Sequence, residues 1–117
     1  KLNIKNFDTL NINSNACFVK IDVEGLDHNV IKGMKNFIKK MKPVLLIEYN
    51  HNNFTLIYNK LRIDYYCYIY DIEKDNLRKL KNNDIKKLKM GRILENRYSK
   101  NSVNIFYINK KLKIKNN

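Results

Sequence analysis

The stretch Phe18-Val-Lys-Ile-Asp-Val-Glu-Gly25 decides the fold of this 117-residue chain. Its apolar run stops on two carboxylates, Asp22 and Glu24, and on a glycine, and an amphipathic helical pattern follows. This order predicts a strand that delivers acidic groups to the rim of an α/β sheet. Ligands of open α/β sheets bind outside the carboxyl ends of the strands, so we expect both acids where the chemistry occurs. The alternative is that they are solvated loop acids that cap the next helix.

A helix and a second strand follow this stretch. Apolar residues at helical spacing predict one continuous helix that packs on the sheet, and its apolar stripe consists of Val30, Ile31, Met34, Phe37, Ile38 and Met41. Pro43 ends the helix, and Val44-Leu-Leu-Ile-Glu-Tyr49 repeats the pattern of a strand with an acid, Glu48, near its end. Strand, helix and strand form a βαβ unit with parallel strands. We therefore expect Glu48 on the same rim as the first two acids.

The rest of the chain predicts fewer elements. The spacing of apolar residues from Phe54 to Leu61 predicts a short helix, and Tyr65-Tyr-Cys-Tyr-Ile-Tyr70 predicts a strand. We interpret its tyrosines as structural rather than as a substrate pocket or a base-stacking surface. Residues 73–96 are polar and weakly periodic, so we expect a long excursion with one short helix around Asp84 to Lys89. The segment Ser102-Val-Asn-Ile-Phe-Tyr-Ile108 alternates like a last strand.

The segment from Phe18 to Glu48 resembles the FkbM-type family of S-adenosylmethionine-dependent methyltransferases. The resemblance rests on the strand ending Lys20-Ile-Asp-Val-Glu-Gly25, on the Val30-Ile-Lys-Gly33 step in the helix, and on the Pro43-led strand that ends in Glu48. Weaker similarities extend it over roughly residues 7 to 108, at Asp8-Thr-Leu10 and Asn104-Ile-Phe106. Asp27 stands where the family commonly has Glu.

The resemblance implies an α/β fold, the C-terminal half of a class I (Rossmann-like) methyltransferase fold. We expect a mostly parallel sheet whose antiparallel last strand inserts between its neighbours. The implied activity is methyl transfer from S-adenosylmethionine, with a hydroxyl oxygen of a saccharide or small metabolite as the expected acceptor. Asp22 is the first candidate for general base and Glu24 the second, and Glu48 would either orient the acceptor or support the other two acids by hydrogen bonding. The activity could also use a divalent metal ion, which would lower the pKa of the hydroxyl group. No residue is assigned as a ligand of such an ion.

The glycines depart from the pattern of this enzyme class. Class I methyltransferases hold their cofactor with a glycine-rich turn, but Gly25, Gly33 and Gly91 are the only glycines, and no two are close enough to form one. The cofactor-binding residues are therefore unassigned. Because the chain also begins at Lys1, we expect residues 1–108 to be the C-terminal portion of an FkbM-like domain, with residues 109–117 as a Lys/Asn-rich tail. The missing N-terminal half would act in cis or in trans, and the fragment alone would be inactive.

The net charge of +13 favours nucleic-acid or anionic-membrane binding at first sight. Lysines outnumber arginines 20 to 4, however, and Arg is the preferred residue for bidentate phosphate and base contacts. We therefore expect no nucleic-acid partner. Two alternatives to an enzyme remain open, namely a non-catalytic methyltransferase remnant that acts as an interaction module and a basic nucleic-acid-binding module.

The cysteines and the hydropathy indicate where the protein acts. Cys17 and Cys67 lack metal-binding spacing, and the two histidines, His28 and His51, offer no zinc constellation, so we expect free thiols. No run of eighteen apolar residues exists, so we expect no membrane span. With no visible signal peptide, the sequence predicts a cytoplasmic protein.

Overall fold

The computed structural model describes residues 18–92 and 103–112, which form five strands and four helices. The elements, in chain order, are β1 (Phe18–Ile21), α1 (Asp27–Gly33), α2 (Lys35–Met41), β2 (Val44–Glu48), α3 (His51–Leu61), β3 (Tyr65–Asp71), β4 (Asn76–Lys79), α4 (Asn82–Lys89) and β5 (Asn104–Asn109). Two features of the sequence, Cys17 and Asp8-Thr-Leu10, lie outside the described residues. Within the described ranges, no helix combines the length and the apolar character that crossing a bilayer requires.

The strands form one mixed sheet in the order β1-β2-β5-β3-β4. β1 and β2 pair in parallel, as the βαβ pattern predicts, and β5 lies antiparallel between β2 and β3. The α/β class and the antiparallel insertion of the last strand are therefore confirmed. The sheet is mixed: β1, β2 and β3 run in the same direction, whereas β5 and the unpredicted β4 run opposite to them, so that β1–β2 is the one parallel pair among the described strands. That the sheet is half of a class I methyltransferase fold stays a prediction.

The polar segment after β3 contains a strand that the sequence analysis missed. β4 forms a hairpin with β3 in which Asp71 pairs with Asn76. The Asp71 carboxylate accepts hydrogen bonds from the backbone N–H groups of Glu73 and Lys74 at 3.1 and 3.2 Å, which stabilises the turn. Asp75 follows with a left-handed φ of 50°. The segment is thus a hairpin followed by a helix, α4, and the expected short helix around Asp84 to Lys89 is confirmed.

The predicted single helix is two helices. The helical conformation is interrupted at Met34, whose φ of −106° and ψ of 9° lie outside the helical region. Gly33 precedes it and has a low helix propensity, which favours a break at this point. The apolar stripe nevertheless continues across the break, because Ile31, Met34 and Ile38 are all buried. α2 ends at Met41, and Lys42 follows with a left-handed φ of 49°, a conformation that commonly ends helices, before Pro43.

The core lies on one face of the sheet, against the helices. Alternate residues of the three central strands point into it, namely Leu45, Ile47, Ile105, Tyr107, Cys67 and Ile69. Along β3 the tyrosines alternate between buried Tyr65 and exposed Tyr66 and Tyr70, which is the pattern of a half-buried strand. Cys67 is a buried free thiol, and burial raises its pKa to about 12. The interpretation of this strand as a structural element therefore fits its burial.

Substitution of Leu45 tests this core. Leu45 is fully buried, so Leu45→Ala is expected to lower the free energy of unfolding by about 2–5 kcal/mol. Leu56 on α3 is 47% exposed, and Leu56→Ala is the matched control, with an expected loss below about 1 kcal/mol. Urea unfolding followed by circular dichroism measures both values. Equal losses for the two variants would mean that Leu45 does not lie in the core.

Candidate active site

The register of β1 and β2 brings two of the predicted acids to neighbouring positions. Ile21 pairs with Ile47, so the residues that follow, Asp22 and Glu48, are next to each other along parallel strands. Adjacent strands are about 4.8 Å apart, which puts the two carboxylates within reach of one small molecule. The third acid, Glu24, lies two residues further along the same loop. The strand ends therefore form an acidic edge, as the sequence predicts.

A cavity of about 260 Å³ opens at this edge, lined by Asp22, Glu24, Gly25, Asp27, Glu48, Tyr49 and Asn50. The three predicted site residues thus surround one space, and all three are exposed to solvent. We call the four carboxylates of this cavity, Asp22, Glu24, Asp27 and Glu48, the acidic rim. None of the described residues that line the cavity is basic, although the chain carries a net charge of +13. The local potential is therefore opposite in sign to that of the whole chain.

The loop that presents Asp22 and Glu24 is held by its own backbone and by Asp27. Leu26 N–H donates to the Val23 carbonyl at 2.8 Å, and Gly25 supplies a left-handed φ of 77° that glycine adopts without strain. Asp27 is 4% exposed, and its Oδ1 accepts a hydrogen bond from Val23 N–H at 3.1 Å. A buried acid therefore closes the loop from the first residue of α1.

The alternative that the rim acids cap α1 is not what the structure shows. The helix follows Leu26, which offers no side-chain cap, and within the described residues neither Asp22 nor Glu24 bonds to a backbone N–H of α1. The carboxylate that holds this loop is that of Asp27, which accepts from Val23 N–H. Asp22 and Glu24 therefore keep their carboxylates free of the helix end.

Tyr49 and Asn50 also line the cavity, and the sequence analysis missed both. Tyr49 O–H donates to the Leu88 carbonyl at 2.7 Å, and its N–H donates to the Val103 carbonyl at 2.6 Å. Asn50 caps α3, where its Oδ1 accepts from Asn52 N–H at 2.9 Å. The preference of asparagine for helix N-caps was a usable signal for Asn50. The hydrogen bond from the Tyr49 hydroxyl to the Leu88 carbonyl of α4 joins residues 39 positions apart, so no local sequence pattern predicts it.

Burial keeps the phenols in this part of the molecule protonated. Burial raises the pKa of Tyr49 above its usual value. Burial, with smaller contributions from Cys67 and Asp27, raises the pKa of Tyr107 in the core well above its usual value. Both phenols therefore stay protonated. In residues 18–92 and 103–112, no three His, Cys, Asp or Glu side chains are grouped so that they could hold a metal ion.

Comparison with known proteins gives one match. The sequence model of the methyltransferase FkbM domain matches residues 2–70, which include β1, β2 and the whole acidic rim. This match covers more than half of the chain. No curated protein and no solved structure matches the chain.

Substitutions of Asp27 test its role in the loop. Asp27→Ala leaves the Val23 N–H without its acceptor, so we expect it to lower the free energy of unfolding by about 1–3 kcal/mol. Asp27→Asn keeps an oxygen at the Oδ1 position and is the matched control, with an expected loss smaller than that of the alanine variant. Chemical denaturation of both variants measures the difference. If the two variants were equally stable, the hydrogen bond to Val23 would not hold the loop.

Proposed function

The chain belongs to the FkbM methyltransferase family, and from this premise we propose that it takes part in S-adenosylmethionine-dependent transfer of a methyl group to a hydroxyl oxygen. The proposed acceptor is a saccharide or another small neutral metabolite. The observation that carries the proposal is the single cavity around which Asp22, Glu24 and Glu48 lie. Family membership supports methyl transfer in general, and the acidic rim supports the assignment of the acceptor to this cavity.

A hydroxyl acceptor needs a proton acceptor beside it. A neutral hydroxyl is a weak nucleophile, and a positioned carboxylate that takes its proton during attack makes it a stronger one. Asp22 is the proposed base, because it directly follows a paired strand, is exposed, and lines the cavity. Glu24 is the second candidate, on the loop that Asp27 holds in place.

Glu48 is the proposed orienting group. It lies on the strand next to Asp22, so it can accept a hydrogen bond from a second hydroxyl of the same acceptor. Saccharides carry several hydroxyls and suit such a two-point contact. Asn104 on β5 pairs with Glu48 on β2 and is exposed, so it offers an amide beside the carboxylate. Four carboxylates around one cavity repel anionic acceptors, which favours a neutral acceptor.

The described residues do not fit the whole cofactor. A class I methyltransferase binds it with a glycine-rich turn, and one glycine, Gly25, lines the cavity at the acidic rim. The cavity of about 260 Å³ is also below the range of about 300–1,000 Å³ that is typical of sites for drug-sized ligands. We therefore assign the acidic rim to the acceptor, and we propose that groups outside the described residues, in the same chain or in a partner chain, hold the cofactor.

Substitution of Asp22 tests the proposal. In the complete protein, Asp22→Asn is expected to lower methyl transfer by at least about 10²-fold, because the acceptor loses its base. The affinity for S-adenosylhomocysteine is expected to stay nearly unchanged, since the rim does not hold the cofactor. Radiolabelled methyl transfer to a panel of neutral saccharides and their phosphorylated forms measures activity, and calorimetric titration measures affinity. We expect the phosphorylated forms to be the poorer acceptors.

Asp64→Asn is the matched control, because it removes an exposed carboxylate that does not line the cavity. It is expected to leave transfer unchanged. Normal turnover of Asp22→Asn would contradict the assignment of the base and would direct attention to Glu24→Gln. Joint loss of transfer and of cofactor affinity would place the cofactor at the rim. A complete protein that neither binds S-adenosylhomocysteine nor transfers methyl groups would favour a non-catalytic interaction module.

A further inference from the structure

A second and larger cavity, of about 760 Å³, lies at the other end of the sheet. Seven lysines and one acid, Asp64, line it. We call it the lysine groove, defined by Lys42 at the end of α2 and by the other six lysines, Lys32, Lys35, Lys39, Lys60, Lys110 and Lys111. Lys42 precedes β2, Tyr65 begins β3, and Lys110 follows the antiparallel β5. The groove therefore lies at the amino ends of β2 and β3, away from the acidic rim.

The charge of the lysine groove is not neutralised by the protein. The one ion pair in the part of the chain that the structure describes joins Arg78 to Asp84 at 3.0 Å, and neither residue lines the groove. Lys110 does have an aromatic neighbour, since its ammonium lies 4.9 Å from the ring centre of Tyr66. Lysine-rich composition alone would spread lysines over the surface together with acids. Here the groove collects seven lysines against one acid, which produces a strong local positive potential.

The floor and the mouth of the groove are apolar. Ile31, Ile38 and Leu61 line it and are 3–7% exposed. Ile63 also lines it but is 74% exposed, which makes it the most exposed of the large hydrophobic residues described. Leu112, directly after Lys110 and Lys111, is 50% exposed. Apolar side chains that project beside a ring of lysines are typical of a surface that meets the boundary between lipid headgroups and acyl chains.

The walls of the groove are tied to one another by hydrogen bonds. Tyr65 O–H donates to the Pro43 carbonyl at 2.8 Å, and Lys110 N–H donates to the Asp64 carbonyl at 2.8 Å. The Asn109 side chain accepts from Lys111 N–H at 3.0 Å. The groove is therefore formed before a ligand arrives, and its volume lies in the range of sites for small ligands.

We propose that the lysine groove receives the phosphate headgroup of an anionic phospholipid and docks the protein on an anionic membrane surface, with Ile63 entering the interfacial layer. The lysines supply the electrostatic attraction, and the apolar floor and mouth supply contacts to the acyl region. A nucleic acid shares the phosphate but fits less well. No arginine lines the groove, and its one aromatic residue, Tyr65, is 4% exposed and cannot stack on a base.

Flotation of the complete protein with lipid vesicles tests the proposal. We expect binding to vesicles of phosphatidylcholine that contain phosphatidylglycerol and no binding to phosphatidylcholine alone. Lys35→Glu/Lys39→Glu reverses two exposed groove lysines and is expected to weaken binding at least roughly tenfold. Lys40→Glu/Lys86→Glu makes the same charge change at exposed helix positions that do not line the groove, and it is the matched control, expected to bind within about threefold of the unmodified protein. Circular dichroism confirms that both variants fold.

A second pair of variants tests the apolar part. Ile63→Ser is expected to weaken vesicle binding several-fold, whereas Ile72→Ser, at a 57% exposed position in the turn between β3 and β4, is expected to leave it unchanged. A short DNA duplex is the competing ligand. Failure to bind anionic vesicles, or equal losses in the two lysine variants, would overturn the proposal. Groove-dependent binding to the duplex without vesicle binding would replace it with a nucleic-acid site, and unchanged binding of Ile63→Ser would remove the insertion step.

Discussion

The position of β5 between β2 and β3 holds the sheet together. Tyr107 pairs with Leu45 on one side and with Cys67 on the other, so a single strand joins the β1–β2 pair to the β3–β4 hairpin. Both ends of β5 are also tied to neighbouring loops. Val103, just before it, accepts the N–H of Tyr49 at the acidic rim, and Lys110, just after it, donates to Asp64 at the lysine groove. One strand therefore fixes the geometry of both cavities.

The sequence predicts those parts of the fold that have a local pattern. β1 and β2 are apolar runs that end in acids, and their pairing follows from the βαβ rule. The place of β5 came from the family resemblance, because its alternation predicts a strand but not its neighbours. β4 lies at the edge of the sheet and has the mostly polar sequence Asn76-Leu-Arg-Lys79. It lacks the run of apolar residues that predicts a strand, because it is held by backbone pairing with β3. The break at Met34 was hidden because the apolar stripe continues across it.

Only part of the candidate site, too, could be predicted from the sequence. Asp22, Glu24 and Glu48 could be predicted because each lies at or shortly after the end of a strand, and the ends of parallel strands meet at one edge. In the sequence, Asp27 has the ordinary features of an acid at a helix start. Its hydrogen bond from Val23 N–H forms only in the folded loop, and no sequence pattern predicts it. The lysines of the groove come from three separate stretches of the sequence, residues 32–42, residue 60 and residues 110–111. In a chain with 20 lysines, no sequence pattern separates these seven from the rest.

The opposite placement of the acidic rim and the lysine groove gives the molecule a permanent electric dipole moment along the strands. A negatively charged surface exerts a torque on such a dipole at distances up to the Debye length, about 8 Å at physiological ionic strength, before any atoms touch. The groove end turns toward the surface, and the rim end turns away from it. In the proposed docking, the protein would therefore approach in one orientation, with the cavity of Asp22 and Glu48 facing the aqueous phase from which the proposed neutral acceptor would arrive.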